Sequence, residues 1–294
     1  MGSVTVREKA FGKLNLSLDV VGKMDNGYHS MLMVMQSVSL HDDVYITIED
    51  GAGEITAHTN RAYIPNTNKN LGFKAAEVFL NELGIKNKSI SVSIKKRVPV
   101  CAGMGGGSSD AAAVIRGLNR ELKTRLSFDD MRRLASMVDS DASFCIEGGT
   151  MLASGRGTEL KKLSPLPDCV FLIAKPRFSV STPTLFGKLD GIKVKARPDT
   201  AGLIAAIENG DVFGVSRRCF NVFEAALSQR EKAIVCGIKD TLVNCGAMGA
   251  SMTGTGSAVY GVFSSLLEAE LAEKELKKTV PECYIASPEP SISE

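Results

Sequence analysis

The sequence lacks the patterns that mark several common classes of protein. Its three histidines, His29, His41 and His58, are too few and too widely separated for a zinc site. No apolar run approaches the length of about 18 residues that a membrane-spanning helix needs. The N-terminal segment has neither an apolar signal core nor the Arg- and Ser-rich composition of a transit peptide. We therefore predict a cytoplasmic protein with no membrane partner.

The cysteine pattern and a missing motif also argue against disulfides and against serine-hydrolase chemistry. The seven cysteines are odd in number, contain no C-x-x-C pair and lie in apolar surroundings. We predict that they are reduced core residues, with only Cys101 close enough to a glycine-rich segment to meet a ligand. No G-x-S-x-G nucleophile elbow is present.

The chain has no strong net charge of either sign, and this limits the classes of partner that it is expected to bind. Lys and Arg total 35 against 33 Asp and Glu, a net charge of +2. The longest basic cluster is Lys95-Lys96-Arg97, so nucleic acid is not the predicted partner. A chain of 294 residues allows one large domain or two ordinary ones. The Ser164–Pro167 segment breaks the pattern, and we predict domains at 1–157 and 158–294.

The most informative stretch is Pro99–Ala113, PVCAGMGGGSSDAAA. Apolar residues alternate before it, at 90–95, and recur at helical spacing after it, so we predict a strand, a glycine-rich loop and a helix capped by Ser or Asp. Glycines let backbone N–H groups approach a ligand, and the first N–H groups of a helix have no internal partner. The stretch therefore favours a phosphate site over the alternative, a tight or flexible turn.

Three familiar phosphate-binding motifs do not fit this stretch. The P-loop pattern is absent, because no Gly-Lys pair is followed by Ser or Thr. The dinucleotide pattern G-x-G-x-x-G fails at its last position, which is Ser108. Protein-kinase H-R-D and D-F-G motifs are missing as well.

Polar residues elsewhere give weaker signals. Lys13 and Asn15 lie on the polar face of a predicted strand, and each is either solvated or part of a site. Tyr28 and His29 follow an Asn26-Gly27 hairpin turn, where an aromatic ring and an imidazole can frame a flat ligand. Further strands are predicted at 31–40, 43–48, 170–174 and 258–263.

The remaining segments add helices and one acidic loop. Helices are predicted from Asn70 to Gly84, and from a Ser127/Asp130 capping box to about Val138, with a polar loop at 50–69. Asp139 and Asp141 belong either to an ordinary loop or to a site that needs a base or metal ligand. Gly254-Thr255-Gly256 is either a tight hairpin or a second backbone contact surface.

Taken together, these motifs resemble the galactokinase, homoserine kinase, mevalonate kinase and phosphomevalonate kinase (GHMP kinase) superfamily. The glycine loop specifies the superfamily. K-L-N-L at Lys13–Leu16, G-Y-H at Gly27–His29, and T-G-T-G at Thr253–Gly256 resemble its branch that phosphorylates 4-diphosphocytidyl-2-C-methyl-D-erythritol in the non-mevalonate isoprenoid pathway. The resemblance implies an α+β fold of two domains, with the glycine loop at a helix N-terminus and the substrate in the cleft.

The resemblance also implies site residues. Asp141 corresponds to the catalytic acid and Lys13 to its partner beside the acceptor 2-hydroxyl, with ATP and Mg²⁺ as cofactors and Ser108 or Ser109 near the metal. The ATP-binding residues implied are Asn70, Pro99, Val100, Cys101, Ala102, Gly103, Met104, Gly105, Gly106, Gly107, Ser108 and Ser109. The substrate-binding residues implied are Asn15, Tyr28, His29, Thr182, Phe186, Gly254 and Thr255, with Tyr28, His29 and Phe186 around the cytosine.

Two departures from the family pattern lie beside the predicted acid. Asp139 stands where the family usually has Gly, and Ser143 where it has Pro. A second carboxylate would repel Asp141 if both faced the site. Upstream of the central glycines, Cys101-Ala102 replaces the usual glycines, and we expect phosphate binding to survive.

Two alternatives remain at this point. One is another small-molecule kinase of the superfamily, acting on homoserine or mevalonate, which would not need an aromatic slot. The other is a non-catalytic nucleotide-binding protein on the same scaffold, which the presence of both Lys13 and Asp141 argues against. The sequence is compatible with a monomer or a homodimer.

Overall fold

Two β-sheets carry the architecture of the protein. The computed structural model describes residues 3–25 and 27–293, and Asn26 of the predicted hairpin turn lies outside them. Within those ranges, a seven-stranded sheet has the order β3-β4-β2-β1-β8, with β5 on β2 and β6 on β5, and a four-stranded sheet has the order β11-β7-β10-β9. The strands are β1 (Val4–Lys23), β2 (His29–Asp50), β3 (Ile55–Thr59), β4 (Lys88–Lys95), β5 (Thr150–Gly155), β6 (Glu159–Lys162), β7 (Val170–Lys175), β8 (Phe220–Asn221), β9 (Gly249–Met252), β10 (Val259–Phe263) and β11 (Glu282–Ala286).

Helices pack on both sheets, as expected for the predicted α+β class. They are α1 (Leu71–Glu82), α2 (Gly106–Glu121), α3 (Phe128–Val138), α4 (Ala142–Glu147), α5 (Thr182–Asp190), α6 (Thr200–Glu208), α7 (Val212–Arg217), α8 (Gln229–Asn244) and α9 (Leu266–Leu276), with a 3-10 turn at Val222–Ala226. Asn70 caps α1, and Ser127 and Asp130 form the predicted capping box of α3. In the described ranges no helix combines the length and apolar character needed to cross a membrane.

The long β1–β2 hairpin forms the backbone of the first sheet. β2 runs unbroken over 22 residues, so the prediction of separate strands at 31–40 and 43–48 was wrong. The polar His41 and Asp42 between them remain in the ladder opposite Phe11 and Ala10. The ladder absorbs irregularity through register shifts, one of them between Phe11 and Lys13, in place of a break.

Two other local predictions need correction. The 50–69 segment contains β3, which pairs in parallel with β4; a five-residue edge strand owes its existence to that partner. The cap of α2 is neither Ser nor Asp but Gly105, whose φ of 63° makes the turn and lets the helix begin at Gly106. Ser108, Ser109 and Asp110 are therefore buried inside the first turns of the helix.

Several elements join the two sheets into one body. The short β8 comes from the second half of the chain yet pairs in parallel with β1, through Ser17 and Phe220. β6 belongs to the first sheet, so residues 159–162 extend it beyond residue 157. The C-terminal segment bridges back to the first half at Val38–Pro288 and Gly148–Ser291. The division into 1–157 and 158–294 stays a prediction.

The cysteines are all free, but not all lie in the core. Cys145, Cys169 and Cys283 are buried, and burial raises the pKa of the Cys169 thiol to about 12. Cys101 and Cys236 are exposed, so the core prediction was wrong for them. Cys101 has a φ of 53°, a left-handed conformation on the glycine loop that turns it out of the core.

Alanine substitutions at two glycines in different surroundings test the close packing between the first and second halves of the chain. Gly103 has a φ of +75°, and a Cβ there would lie 2.1 Å from the carbonyl oxygen of Thr253. We expect Gly103→Ala to lower the free energy of unfolding by about 2–4 kcal/mol, because left-handed strain and overpacking add. Gly237, inside α8, has open space where a Cβ would lie, and Gly237→Ala should raise that free energy by about 0.5–1 kcal/mol. Equal denaturation midpoints for both variants would contradict this account.

Candidate active site

A cavity of about 1010 Å³ lies where the two sheets meet. It is lined from the first half by β1, the glycine loop and the segment before α1, and from the second half by α5 and the loop after β9. The structure brings almost all the predicted site residues to this cavity; Ser108 and Ser109 are the exceptions, since they do not line it. Both lie one turn inside α2.

Lys13 and Asp141 form an ion pair in the cavity. The Nζ of Lys13 lies 3.2 Å from Oδ2 of Asp141. The Lys13 side chain is 4% exposed, whereas that of Asp141 is 32% exposed. Asp141 stands at the N-cap of α4 without making a side-chain capping bond, so its carboxylate is available to the cavity. A buried ammonium thus holds a carboxylate that a ligand can reach.

Asn15 anchors that lysine from behind. Its side-chain oxygen accepts hydrogen bonds from Lys13 Nζ at 2.7 Å and from the Gly254 N–H at 3.0 Å. Its backbone N–H donates to the Thr253 hydroxyl, and its carbonyl accepts from the Tyr260 hydroxyl. Asn15 is fully buried, and these contacts lie within the protein. The residue fixes Lys13 against the loop after β9.

The glycine loop packs directly on that second loop. Gly103 and Gly254 meet backbone to backbone, and a Cβ on Gly254 would lie 2.6 Å from the Gly103 carbonyl oxygen. The Ala258 N–H donates to the Ala102 carbonyl, and the Lys13 N–H to the Met104 carbonyl. The loop after β9 is therefore both a tight hairpin and a backbone contact surface. Only residues without side-chain bulk allow this approach.

The N-terminus of α2 opens from the glycine loop toward the ion pair. Gly105 lies so close to Lys13 that an added Cβ would be 3.1 Å from Lys13 Cγ and 3.8 Å from Asp141 Oδ2. The Ser109 N–H bonds back to the Gly105 carbonyl at 2.8 Å, which closes the first helical turn. The first turn contains no acidic residue. This end of the helix is electrically suited to an anion.

One end of the cavity lies beside the cap of α1. The Asn70 side-chain oxygen accepts from the Gly72 N–H at 2.9 Å, and its amide donates to the Pro65 carbonyl at 3.2 Å. Sequence reasoning did not include the apolar residues here, because the 50–69 segment has no periodic pattern. They are Tyr63, Ile64 and Pro65, and Leu71 at the start of α1 lies beside them in the cavity lining.

The other end is aromatic. The His29 ring stacks on Phe186 with centroids 4.5 Å apart, and Phe186 meets Phe223 edge-on at 4.8 Å. His29 Nε2 lies 2.7 Å from Asp190 Oδ1, and this hydrogen bond holds the pKa of the Asp190 carboxyl below its usual range. Tyr28 lies beside them with 53% of its surface exposed.

A hydroxyl pair closes the side of the aromatic end. Thr182 on α5 and Thr255 on the loop after β9 are hydrogen-bonded, with their oxygens 3.0 Å apart. The bond links two elements that both line the cavity. It sets the distance between the aromatic end and the backbone of the Gly254 loop.

Comparisons with known proteins agree with this geometry. The GHMP kinases N terminal domain matches residues 70–149 and the GHMP kinases C terminal domain matches residues 221–282. A protein of Clostridium kluyveri, 4-diphosphocytidyl-2-C-methyl-D-erythritol kinase, is 37% identical over 278 residues, which cover 94% of this chain and 98% of that one. The chain belongs to the 4-diphosphocytidyl-2-C-methyl-D-erythritol kinase family.

Solved structures confirm the two-sheet fold of this family. A crystal structure of 4-(cytidine 5'-diphospho)-2C-methyl-D-erythritol kinase superposes with a TM-score of 0.78 at 24% identity, covering 96% of this chain and 98% of that chain. A homoserine kinase from Cytophaga hutchinsonii superposes with a TM-score of 0.75 at 18% identity, covering 98% and 95%. Because both scores are high, the fold by itself does not separate the acceptors.

This family member departs from the usual pattern at Asp139, and the structure shows where that carboxylate points. Asp139 Oδ2 accepts from the Ser108 hydroxyl at 2.6 Å and from the Asp141 N–H at 3.1 Å. The residue lines the cavity but is engaged by these donors. At the second departure, the Ser143 hydroxyl donates to the Arg132 carbonyl at 3.1 Å.

A buried charge cluster behind the glycine loop was missed by sequence reasoning. Lys96 Nζ lies 2.5 Å from Asp42, 2.6 Å from Asp110 and 3.2 Å from the Gly106 carbonyl. Burial alone would lower the pKa of Lys96, but its neighbouring carboxylates raise it overall. Burial raises the pKa of Asp110 to about 8, and its Oδ1 has no hydrogen-bond partner in the described part of the chain. Asp42, Lys96 and Asp110 come from three separated segments of the chain, so no local sequence motif indicates the cluster.

The raised pKa of Asp110 gives a pH prediction. The folded state keeps a proton on Asp110 that the unfolded chain releases near pH 4, so folding stability falls as pH rises from about 4 to about 8 and then levels off. Relative to Asp110→Asn, the wild-type free energy of unfolding should fall by at most about 1.4 kcal/mol per pH unit between pH 5 and 8. Urea titrations at several pH values measure this difference, and identical slopes for the two proteins would refute it.

Proposed function

We propose that this protein is an ATP-dependent kinase that transfers the γ-phosphoryl group to the 2-hydroxyl of 4-diphosphocytidyl-2-C-methyl-D-erythritol. The observation that carries the proposal is the Lys13–Asp141 pair, which faces the N-terminus of α2 in a cavity with an aromatic end. The relatives that span the chain bear that kinase's name. Free cysteines fit the predicted cytoplasmic location.

The glycine loop is proposed to hold the phosphates of ATP. Its residues from Pro99 to Gly107 line the cavity, and the α2 N-terminus adds unpaired N–H groups and the positive end of the helix dipole. The Asn70 end, with its apolar wall, is proposed to receive the adenine. Phosphoryl transfer asks a protein mainly for positioning and charge stabilisation, which rigid backbone donors provide.

Asp141 is proposed to accept the proton of the attacking hydroxyl. Its carboxylate is accessible, and Lys13 Nζ, which lies 3.2 Å from Asp141 Oδ2, offsets the negative charge that gathers on the transferring phosphoryl oxygens. Asn15 and Gly105 fix Lys13 on two sides. The pair needs little rearrangement during the reaction because these contacts exist before the substrate arrives.

The aromatic end is proposed to bind the cytosine of the acceptor. Tyr28, His29 and Phe186 offer flat faces, and the His29–Asp190 hydrogen bond fixes the orientation of the imidazole. The Thr182–Thr255 pair and the Gly254 backbone lie between this end and the ion pair, where the rest of the acceptor must pass.

The oxygen donors beside the glycine loop fit Mg²⁺. Asp139, Asp141 and the Ser108 hydroxyl are hard oxygen ligands, and they lie together at the start of α2. We propose that the two carboxylates, which line the cavity, hold the ion together with the nucleotide phosphates, and that Ser108, which does not line it, orients Asp139 through their hydrogen bond. Ser109 turns its hydroxyl to the Gly106 carbonyl instead. When bound, the ion neutralises phosphate charge.

Two other functions are distinguished by specific residues. A homoserine or mevalonate kinase has the same fold but no use for an aromatic slot that holds a nucleobase of the acceptor, so the stacked His29 and Phe186 argue against it. A non-catalytic nucleotide-binding protein has no need of Lys13 and Asp141 in contact. We leave the choice between monomer and homodimer as a prediction.

The acceptor is tested by a coupled ADP-release assay with Mg-ATP. We expect turnover with 4-diphosphocytidyl-2-C-methyl-D-erythritol and none with homoserine or mevalonate, because only the first carries a pyrimidine for the aromatic end. Cytidine 5′-monophosphate should inhibit competitively with the acceptor. Turnover with either of the other alcohols alone would overturn the proposed acceptor and keep the kinase assignment.

The base assignment is tested by Asp141→Asn. We expect turnover to fall by about 10²- to 10⁴-fold, since the amide cannot take the proton. ATP binding, measured by calorimetry, should persist because the glycine loop is intact. Near-normal turnover in this variant would remove Asp141 from the role of base.

Neighbouring serines provide a matched test of the metal proposal. Ser108→Ala should weaken Mn²⁺ binding to the enzyme–ATP complex, followed by electron paramagnetic resonance, whereas Ser109→Ala should not. Each variant loses one hydroxyl from the first turns of α2, but only Ser108 contacts Asp139. Equal Mn²⁺ affinities in the two variants would contradict the assignment.

A further inference from the structure

Arg156 makes a contact at the aromatic end that the proposed chemistry leaves unused. Its guanidinium carbon lies 3.8 Å from the centroid of the Tyr28 ring. Both residues line the cavity. Among residues 3–25 and 27–293 the structure records no carboxylate within ion-pair distance of Arg156, so the contact with the ring is the one that orients its guanidinium.

The tight β5–β6 turn carries Arg156 and places it beside Tyr28. Arg156 lies between Gly155 and Gly157, whose φ angles of +61° and +89° make the tight β5–β6 turn. The Gly157 N–H closes this turn by donating to the Ser154 carbonyl at 2.9 Å. Gly155 pairs with Met31 near the start of β2, which places the turn beside the hairpin that carries Tyr28.

Arg156 and Phe186 reach the hairpin from opposite sides. Phe186 packs edge-on against Phe223, which closely follows β8, and β8 pairs with β1. Arg156 follows β5, which pairs with β2 on the other side of the hairpin. In the sheet order β8-β1-β2-β5, the elements that carry the two residues therefore reach the β1–β2 hairpin from opposite edges.

From this arrangement we propose that Arg156 is a positioning residue, which stacks on Tyr28 and holds its ring ready for a nucleobase entering from the Phe186 side. The inference rests on the proposed function, because it concerns the same nucleotide slot. An exposed tyrosine ring loses rotational freedom when a base stacks on it, and that loss weakens binding. A planar cation stacked on one face of the ring orders it in advance and leaves the opposite face for the base.

Kinetics separate this role from catalysis. We expect Arg156→Ala to raise KM for the cytidine-bearing acceptor about three- to tenfold, while KM for ATP and kcat change less than twofold. Arg156→Lys keeps the charge without the plane and should recover only part of the loss. Arg217→Ala is the matched control, because Arg217 is also exposed and lies over an aromatic ring, Phe213 at 5.5 Å, outside the cavity.

A spectroscopic readout follows from the absence of tryptophan. Tyr28→Trp introduces one tryptophan at the slot, which can be excited selectively over the remaining tyrosines, and adding Arg156→Ala should lower its anisotropy and raise its quenching by acrylamide. Arg217→Ala in the same background should change neither signal. An unchanged anisotropy would show that Arg156 does not order the ring, and would overturn the proposal.

The outcomes distinguish this inference from the proposed function. If the wild-type protein does not phosphorylate the cytidine-bearing acceptor, the proposed function fails and this role fails with it. If the wild type is active and Arg156→Ala has an unchanged acceptor KM, only the positioning role is overturned. A parallel rise in both KM values would also overturn it, because a general structural defect would then explain the loss.

Discussion

Backbone contact between two glycines holds the cavity in its shape. Gly103 on the glycine loop and Gly254 on the loop after β9 approach so closely that neither position has room for a side chain. Asn15 is buried beside them and bonds to Lys13 and Gly254 together. The glycine loop, Lys13 and the second half of the chain are therefore fixed by one junction. A shift in any of them would move the others.

Two groups of charged side chains lie near this junction, one almost fully buried and one partly exposed to the cavity. Lys96 with Asp42 and Asp110 is buried beneath the glycine loop and reaches the Gly106 carbonyl at the start of α2, and Lys96 and Asp110 also line the cavity. Lys13 with Asp141 lies in front and faces the cavity. The Lys96 cluster joins β2 and the residue after β4 to α2, whereas the Asp141 carboxylate of the second pair is 32% exposed. The Asp141 carboxylate makes no helix-capping bond, although Asp141 is the N-cap of α4.

The aromatic end depends on elements from distant parts of the sequence. Tyr28 and His29 come from the end of the β1–β2 turn, Phe186 from α5 and Arg156 from the β5–β6 turn. A parallel pairing of β8 with β1 brings α5 within reach of the hairpin. The aromatic composition of this end of the cavity thus follows from sheet topology as much as from the side chains themselves.

The amino-acid sequence determined the local parts of this protein. A glycine-rich loop that leads into a helix, the Asn70 cap and the Ser127/Asp130 capping box are set by residues a few positions apart, and all could be predicted directly. Motif resemblance supplied the family and the pairing of Lys13 with Asp141, which are 128 positions apart and 3.2 Å apart in space.

Tertiary structure alone decided the rest. Gly105 displaced the predicted Ser or Asp cap because a left-handed residue could begin the helix earlier, and β3 formed because β4 offered it an edge. Asp139 accepts a hydrogen bond from Ser108, Lys96 forms ion pairs with two carboxylates, and Arg156 lies over the Tyr28 ring. Each of these contacts joins segments that no local pattern relates. The physical reason is that such contacts depend on where the chain returns in space, which sheet pairing settles.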